Sequence, residues 1–336
     1  MTIFGQRIAI DLGTANSVVW QAGRGIVMNE PTVVAVGVED GRVVAVGNEA
    51  KEMLGRTPGN IAASRPMRDG VIADYRVTEA MLRYFIQRVC GTVFLFKPEV
   101  MICVPAGVTQ VERRAVLDAT LSAGAKVAFL IDEPLAAAIG AKLPIAAASG
   151  NMIIDIGGGS AEAAVISLGG VVVHKSVRIA GNKVDEAIAN FLRKKHNLFV
   201  GETTAEEVKL KIGSAVILPE TELLEVKGRD SVTGMPRAVI VSSTEITEAI
   251  KPILLQIIGA AKGVLEETPP ELASDIIDKG IVMSGGTSLL RNFDKLMTEV
   301  TGVPCHVAED PLLCVVRGTG VAIENLDLYK KSVAKK

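Results

Sequence analysis

Two stretches, "IDLGTAN" at 10–16 and "IDIGGGS" at 154–160, constrain this 336-residue chain more than any other feature. Each runs a short apolar strand into a turn of small residues, with an aspartate two places before the first glycine. Glycine removes the Cβ atoms that would keep backbone N–H groups from converging on an anion. Gly13, Thr14, Ala15 and Asn16 can do this from one turn, and Gly157, Gly158 and Gly159 from the other. Asp11 and Asp155 would repel a phosphate, so they make sense with a divalent cation between, and Mg2+ with its waters kept suits that place. Either turn alone fits an ordinary hairpin, which uses glycine and aspartate freely. Two of them, at matched points in different halves, favour a polyphosphate held between two related units.

The rest of the chain supports a duplicated α/β plan. Short β-branched runs ("RIAI", "SVVW", "PTVVAV", "RVVAVG", "EVMICV", "KVAFLI") alternate with helical patterns such as "TEAMLRYFIQRV". Thr109 and Glu112 have the spacing of a capping box and predict a helix start there. "PIAAASG" at 144–150 reads as a hinge, after which strand, glycine turn, strand, strand begins again. In the second half Ile246, Ile250, Ile253, Ile257, Ala261 and Val264 keep one helical face for five turns, through Pro252, until "TPPE" stops it. The last recognisable unit is strand "GIVMS", turn "GGTS" and a helix from "LLRNFDKLM", with a basic tail "YKKSVAKK" read as solvated.

Several function classes fall away. A net charge of -2 leaves no basic excess for a nucleic-acid surface. The four cysteines show no C-x-x-C spacing, and the three histidines form no ligand set. The start "MTIFGQRIAI" lacks a signal-peptide pattern, so a cytoplasmic protein is expected. Neither a Walker P-loop nor a Rossmann G-x-G-x-x-G is present. Asp132 and Glu133, between a strand and the helix near Pro134, are the acid/base candidates. Carboxylates also sit at helix N-termini for capping reasons alone. The "GGTS" turn could offer N–H groups to another part of a ligand.

"IDLGTANSVVW", "GRGIVMNEPTVVAV", "RPMRDGVIADY", "LIDEPLAAAIG", "GNMIIDIGGGS", "RIAGNKVDEAI" and "VTGMPR" together resemble the MreB family of bacterial actins, from about Arg7 to about Leu326. The resemblance implies duplicated actin-like (RNase H-like) domains with a nucleotide cleft between them, each with a small inserted subdomain. Domain I would be 1–143 plus 320–336, with its small subdomain at about 30–75. Domain II would be 144–319, with its small subdomain at about 182–240. It implies ATP and Mg2+ as ligands, weak ATP hydrolysis, and self-assembly into filaments, paired as protofilaments, that organise cell shape and wall elongation. Cell-wall elongation or shape proteins would be partners, and nucleic acid would not.

Carried over by position, Asp11 and Asp155 would face the metal and Glu133 would position the hydrolytic water with the Ser160 hydroxyl. Gly181, Glu206, Lys209, Gly285, Gly286 and Thr287 would line the adenosine pocket. Phe94, Leu95 and Phe96 would touch the inner face of the membrane, where each buried side chain contributes roughly 1.5–3 kcal/mol at most. A single monomer would then bind weakly and a filament firmly, by repetition of the contact. The family commonly reads "DIGGGTTE" where this chain has "DIGGGSAE", and Asn182 stands where an aspartate is usual. These departures keep open a nucleotide-gated membrane scaffold that polymerises poorly. A chaperone ATPase or a sugar kinase would need a substrate domain or pocket that no quoted stretch supplies. The patch Glu112-Arg113-Arg114 fits either a protofilament contact or a solvated helix face.

Overall fold

A computed structural model of the chain describes residues 6–91, 97–330 and 332–336. The expected membrane residues Phe94, Leu95 and Phe96 lie outside the described residues.

The first half opens with an antiparallel meander, β1 (Arg7–Leu12), β2 (Asn16–Gln21) and β3 (Gly25–Pro31). A small sheet follows, built from β4 (Val34–Gly37), β5 (Val43–Val46) and β6 (Ile61–Ser64) with α1 (Asn48–Met53) against it. The hairpin β7 (Met67–Arg68) and β8 (Val71–Ile72) leads to α2 (Tyr75–Cys90). Then β9 (Glu99–Val104), α3 (Gln110–Ser122), β10 (Val127–Asp132) and α4 (Glu133–Gly140) complete a parallel crossover. β9 is almost wholly apolar because helices cover both its faces, which period-two alternation would not allow.

The second half repeats the meander as β11 (Asn151–Ile156), β12 (Ala161–Ser167) and β13 (Gly170–Val177). Next come α5 (Gly181–His196), β14 (Leu198–Phe199), α6 (Glu202–Ile212), β15 (Leu223–Asp230) and β16 (Pro236–Ser242), the three strands forming a small sheet. α7 (Ser243–Glu267), α8 (Pro270–Lys279), β17 (Ile281–Ser284), α9 (Phe293–Thr301) and β18 (Cys305–Val307) follow. The chain ends with α10 (Cys314–Glu324), α11 (Leu326–Tyr329) and β19 (Val333–Lys335). The duplication is visible in strand order: β3-β2-β1-β9-β10 in one sheet matches β13-β12-β11-β17-β18 in the other. In both, three antiparallel strands are followed by two parallel ones.

The halves meet through α4 and α10, which share one apolar cluster with strands of both sheets. α10 lies against β1, β2 and β9, while α4 reaches β11 and β12. α10 runs unbroken through residue 320.

Local rules held where the partner was local. The Thr109 capping box is formed in both directions, and Ser242 with Glu245 forms another at the head of α7. α7 continues past Pro252, which faces solvent where its missing N–H costs least. Four readings change. "PTVVAV" is not one strand: Thr32 and Val33 separate β3 from β4, and Thr32 turns inward to donate to the Gly13 carbonyl at 2.6 Å. The helix expected from Leu289 begins at Phe293, after a 3-10 turn over Gly286–Leu289. The basic tail is not free: Val333–Lys335 adds an antiparallel strand to the open edge of β10, and Lys336 pairs with Asp118. An unpaired edge beside an apolar segment accepts such a strand readily. The Glu112–Arg114 patch is largely engaged, since Arg113 reaches Asp132 at 2.6 Å and Glu112 binds Arg178 at 3.1 Å.

Candidate functional site

β1–β2 and β11–β12 each end in their glycine turn at the same side of the molecule, and the turns touch across the gap. A Cβ on Gly158 would lie 2.8 Å from the Ala15 Cβ, and one on Gly159 would lie 2.4 Å from the Thr14 hydroxyl. Other elements fix the turns. Gly70 N donates to the Thr14 hydroxyl at 3.0 Å, Asn182 N to the Gly158 carbonyl at 2.8 Å, and the Thr287 hydroxyl to the Gly157 carbonyl at 2.7 Å. Thr287 therefore braces a glycine turn as well as lining the cavity.

The turns floor a cavity of about 430 Å³ between the halves. Of the residues singled out in the sequence, Asp11, Gly13 to Asn16, Glu133, Asp155, Gly157 to Ser160, Gly181, Glu206, Lys209 and Gly285 to Thr287 all line it. Glu206 is also drawn across the mouth toward Lys51 at 3.4 Å, beside Arg65 and Glu202 at 2.7 Å. Asp132 is held by Arg113, which leaves Glu133 as the free acid of the pair. Ala161 is fully buried among Ile156 and Ala163 and is no part of the cavity wall. A hydroxyl there would face the core, so its absence removes no donor from the cavity.

Three carboxylates, Asp11, Glu133 and Asp155, line the cavity, and a fourth, Glu162, lies outside its wall beside Asp155. Burial, then the facing Asp155, pushes Asp11 up to about 7, and burial raises Asp155 to about 6 against a hydrogen bond from Ser284 at 2.7 Å. Glu133 is raised well above the usual range by burial and then by Glu162, Asp11 and Asp155. Its remaining surface opens on the cavity. Glu162 sits opposite Asp155 in the β11–β12 register and rises to about 7 through burial, although it accepts from Ala106 N at 2.8 Å. Such a set strains for want of positive charge, which is the chemistry of a divalent-cation site. Among the described residues no group of three or more His, Cys, Asp or Glu has metal-cage geometry.

A pH consequence follows. Carboxylates with raised values bind extra protons in the native state, so stability is fully present below their ordinary range near 4 and is lost as pH rises through 6 to 7. The metal-free protein should melt at a higher temperature at pH 6 than at pH 8. A thermal scan in chelator that rises steadily toward pH 8 would contradict this.

Sequence reading missed Glu162, Asp185, Ser284 and Arg65. Glu162 left one trace, a lone charge in the otherwise apolar "AEAAVIS". Ser284 and Arg65 gave no local signal, since Ser284 acts on a partner 129 residues away and Arg65 on partners 50 and 137 residues away.

The family described as MreB/Mbl protein matches residues 5–331. The chain belongs to the MreB/Mbl family. It is 52% identical over 332 residues to the cell shape-determining protein MreB of Escherichia coli strain K12, covering 97% of this chain and 96% of that one. It is 47% identical to the cell shape-determining protein Mbl of Bacillus subtilis strain 168, covering 98% and 99%. Among solved structures, MreB5 of Spiroplasma citri bound to AMPPNP superposes with a TM-score of 0.92 at 35% identity, over 98% of this chain and 99% of that one. The MamK double helical filament, at 22% identity and a TM-score of 0.81, covers 96% and 99% and shares the fold. The architecture of this MreB/Mbl chain is thus actin-like, two related α/β units about a cleft.

Proposed function

We propose that this MreB/Mbl chain is an ATP-binding bacterial actin that polymerises into filaments at the inner face of the cell membrane and organises cell shape and wall elongation. The observation that carries the reading is the cavity between two opposed glycine turns, with Asp11 and Asp155 at its floor. It is supported by the shape-determining relatives and by an MreB5 bound to AMPPNP. Residues 1–143 with the returning C-terminal segment would move as one domain, and the residues between them as the other.

N–H groups of 13–16 and 157–159 would hold the phosphates from both sides. Asp11 and Asp155 would hold Mg2+, which when bound neutralises charge on the phosphate oxygens. Glu133, at the first turn of α4, faces the cavity and would orient a water for in-line attack, with the Ser160 hydroxyl beside it. Little covalent work is needed, because phosphoryl transfer relies on positioning and electrostatics. Protons on Asp11 and Asp155 must leave for the metal to bind, so Mg-nucleotide should stabilise the protein more at pH 8 than at pH 6.

Sedimentation with Mg-ATP, with and without anionic liposomes, tests the whole. Wild-type protein should pellet with vesicles, and a Phe94→Ala/Leu95→Ala/Phe96→Ala variant should still polymerise but leave vesicles behind. Failure to assemble under every nucleotide and lipid condition would remove the filament claim.

A further inference from the structure

Asp132 behaves unlike the other polar side chains that begin helices from extended backbone. Asp74, Thr109 and Ser242 each precede a helix in that conformation, and each accepts from an N–H of the first turn. Asp132 precedes α4 in the same conformation, yet its side chain accepts from no N–H of α4. Its Oδ1 instead takes the Arg113 guanidinium, Nη2 at 2.6 Å. The helix gives up a stabilising cap at this point, and the next residue is Glu133.

The same Nη2 of Arg113 donates to the Ala106 carbonyl at 3.4 Å. Asp132 pairs with Val104 at the last register position of β9 and β10, so the segments leaving those two strands lie side by side. Arg113 ties them together: one carries Ala106, the other Glu133. The tie is anchored on its far side as well. Ala106 N donates to Glu162 Oε2 of the second half at 2.8 Å, and Glu112, next to Arg113, accepts from Arg178 of the second half at 3.1 Å. The start of α3 is itself closed by the Thr109 capping box. A planar guanidinium holds acceptors in set directions, which a freely turning ammonium does not.

We infer that Arg113 is a positioning residue for hydrolysis, holding the strand-to-helix corner at Asp132 so that Glu133 is aimed at the attacking water. The inference rests on the hydrolytic reading above and adds to it a residue that lies outside the cavity wall.

Phosphate release at equal sedimented mass, with Mg-ATP affinity by calorimetry, tests it on four full-length proteins: wild type, Arg113→Met, Glu133→Gln and the double variant. Arg113→Met should slow release by about tenfold or more, since a misplacement of about 1 Å costs up to about a hundredfold. Its affinity should stay within about twofold of wild type, because it removes an interaction used only in the transition state. Arg113→Lys, which keeps the charge without the fork, should recover part of the rate. The deciding comparison is the double variant. Arg113→Met should slow Glu133→Gln protein by less than about twofold, because a residue that acts only through Glu133 has nothing left to aim. A loss equally large in both backgrounds would overturn the inference and leave Arg113 a structural brace. So would an Arg113→Met protein that releases phosphate at the wild-type rate. Should Arg113→Met fold poorly, Asp132→Ala breaks the same tie from its other end and should behave alike in both backgrounds. A wild-type protein that binds Mg-ATP and releases no phosphate would instead remove the hydrolytic reading, and the inference with it.

Discussion

Glu133→Gln should leave Mg-ATP binding within about threefold of wild type while slowing phosphate release by roughly a hundredfold, the lower range for loss of a positioned acid or base. The geometry separates the two effects. Phosphates would be held by backbone N–H groups of the two glycine turns, which the substitution does not touch. Glutamine has the same shape and removes one of four crowded carboxylates, so binding has no reason to suffer. What is lost is the group best placed to orient water, since Asp132 is occupied by Arg113 and Glu162 is not part of the cavity wall. Filaments of the variant should therefore form with ATP and persist. Phosphate release and sedimentation on the same sample check both halves of the expectation. Unchanged release would move the hydrolytic role to Ser160 or to a water held elsewhere.

Gly318→Val should prevent the chain from reaching a folded, soluble state, and Gly318→Ala should lower the unfolding midpoint steeply. A Cβ at Gly318 would lie 1.8 Å from the Ala136 carbonyl oxygen, and one at Gly140 would lie 1.8 Å from the Cys314 carbonyl oxygen. The two contacts are reciprocal: α4 and α10 cross backbone to backbone at glycine. Overpacking against side chains costs about 1–3 kcal/mol, because side chains can rotate aside. A helix backbone cannot, so the cost should exceed that range against a total stability of about 5–15 kcal/mol. The crossing also joins the two sheets and aims the N-terminus of α4, so surviving protein should bind nucleotide poorly. Gly259→Ala is the control: it lies on the exposed face of α7 with nothing within 4 Å of the added methyl. Removing a helical glycine there should be neutral or stabilise by about 0.5–1 kcal/mol. Equal losses at 259 and 318 would show that helix propensity, not the crossing, sets the effect.

The site was legible in the sequence to the extent that its chemistry sits on consecutive residues. "IDLGTAN" and "IDIGGGS" could be read because a strand, a carboxylate and a glycine turn follow one another within seven positions. Asp185 could not. It stands in "GNKVDEAI" on an amphipathic helix where an acidic residue near the first turn has an ordinary explanation, and only Lys209, 24 residues on, makes it a buried pair. The tail was misread for the same reason. "SVAK" has no pattern of its own, and becomes a strand because β10 offers it an edge.

By itself the sequence determined the duplicated α/β plan, the Thr109 capping box and the pair of glycine turns. Each is written in periodicity or spacing over a few residues, where local geometry decides the outcome. Tertiary structure alone decided that the turns face each other, that α4 crosses α10 at Gly140 and Gly318, and that Glu133 joins Asp11 and Asp155 in one cavity wall. Those depend on contacts between residues more than a hundred positions apart, whose energies come from packing and burial that no local pattern encodes.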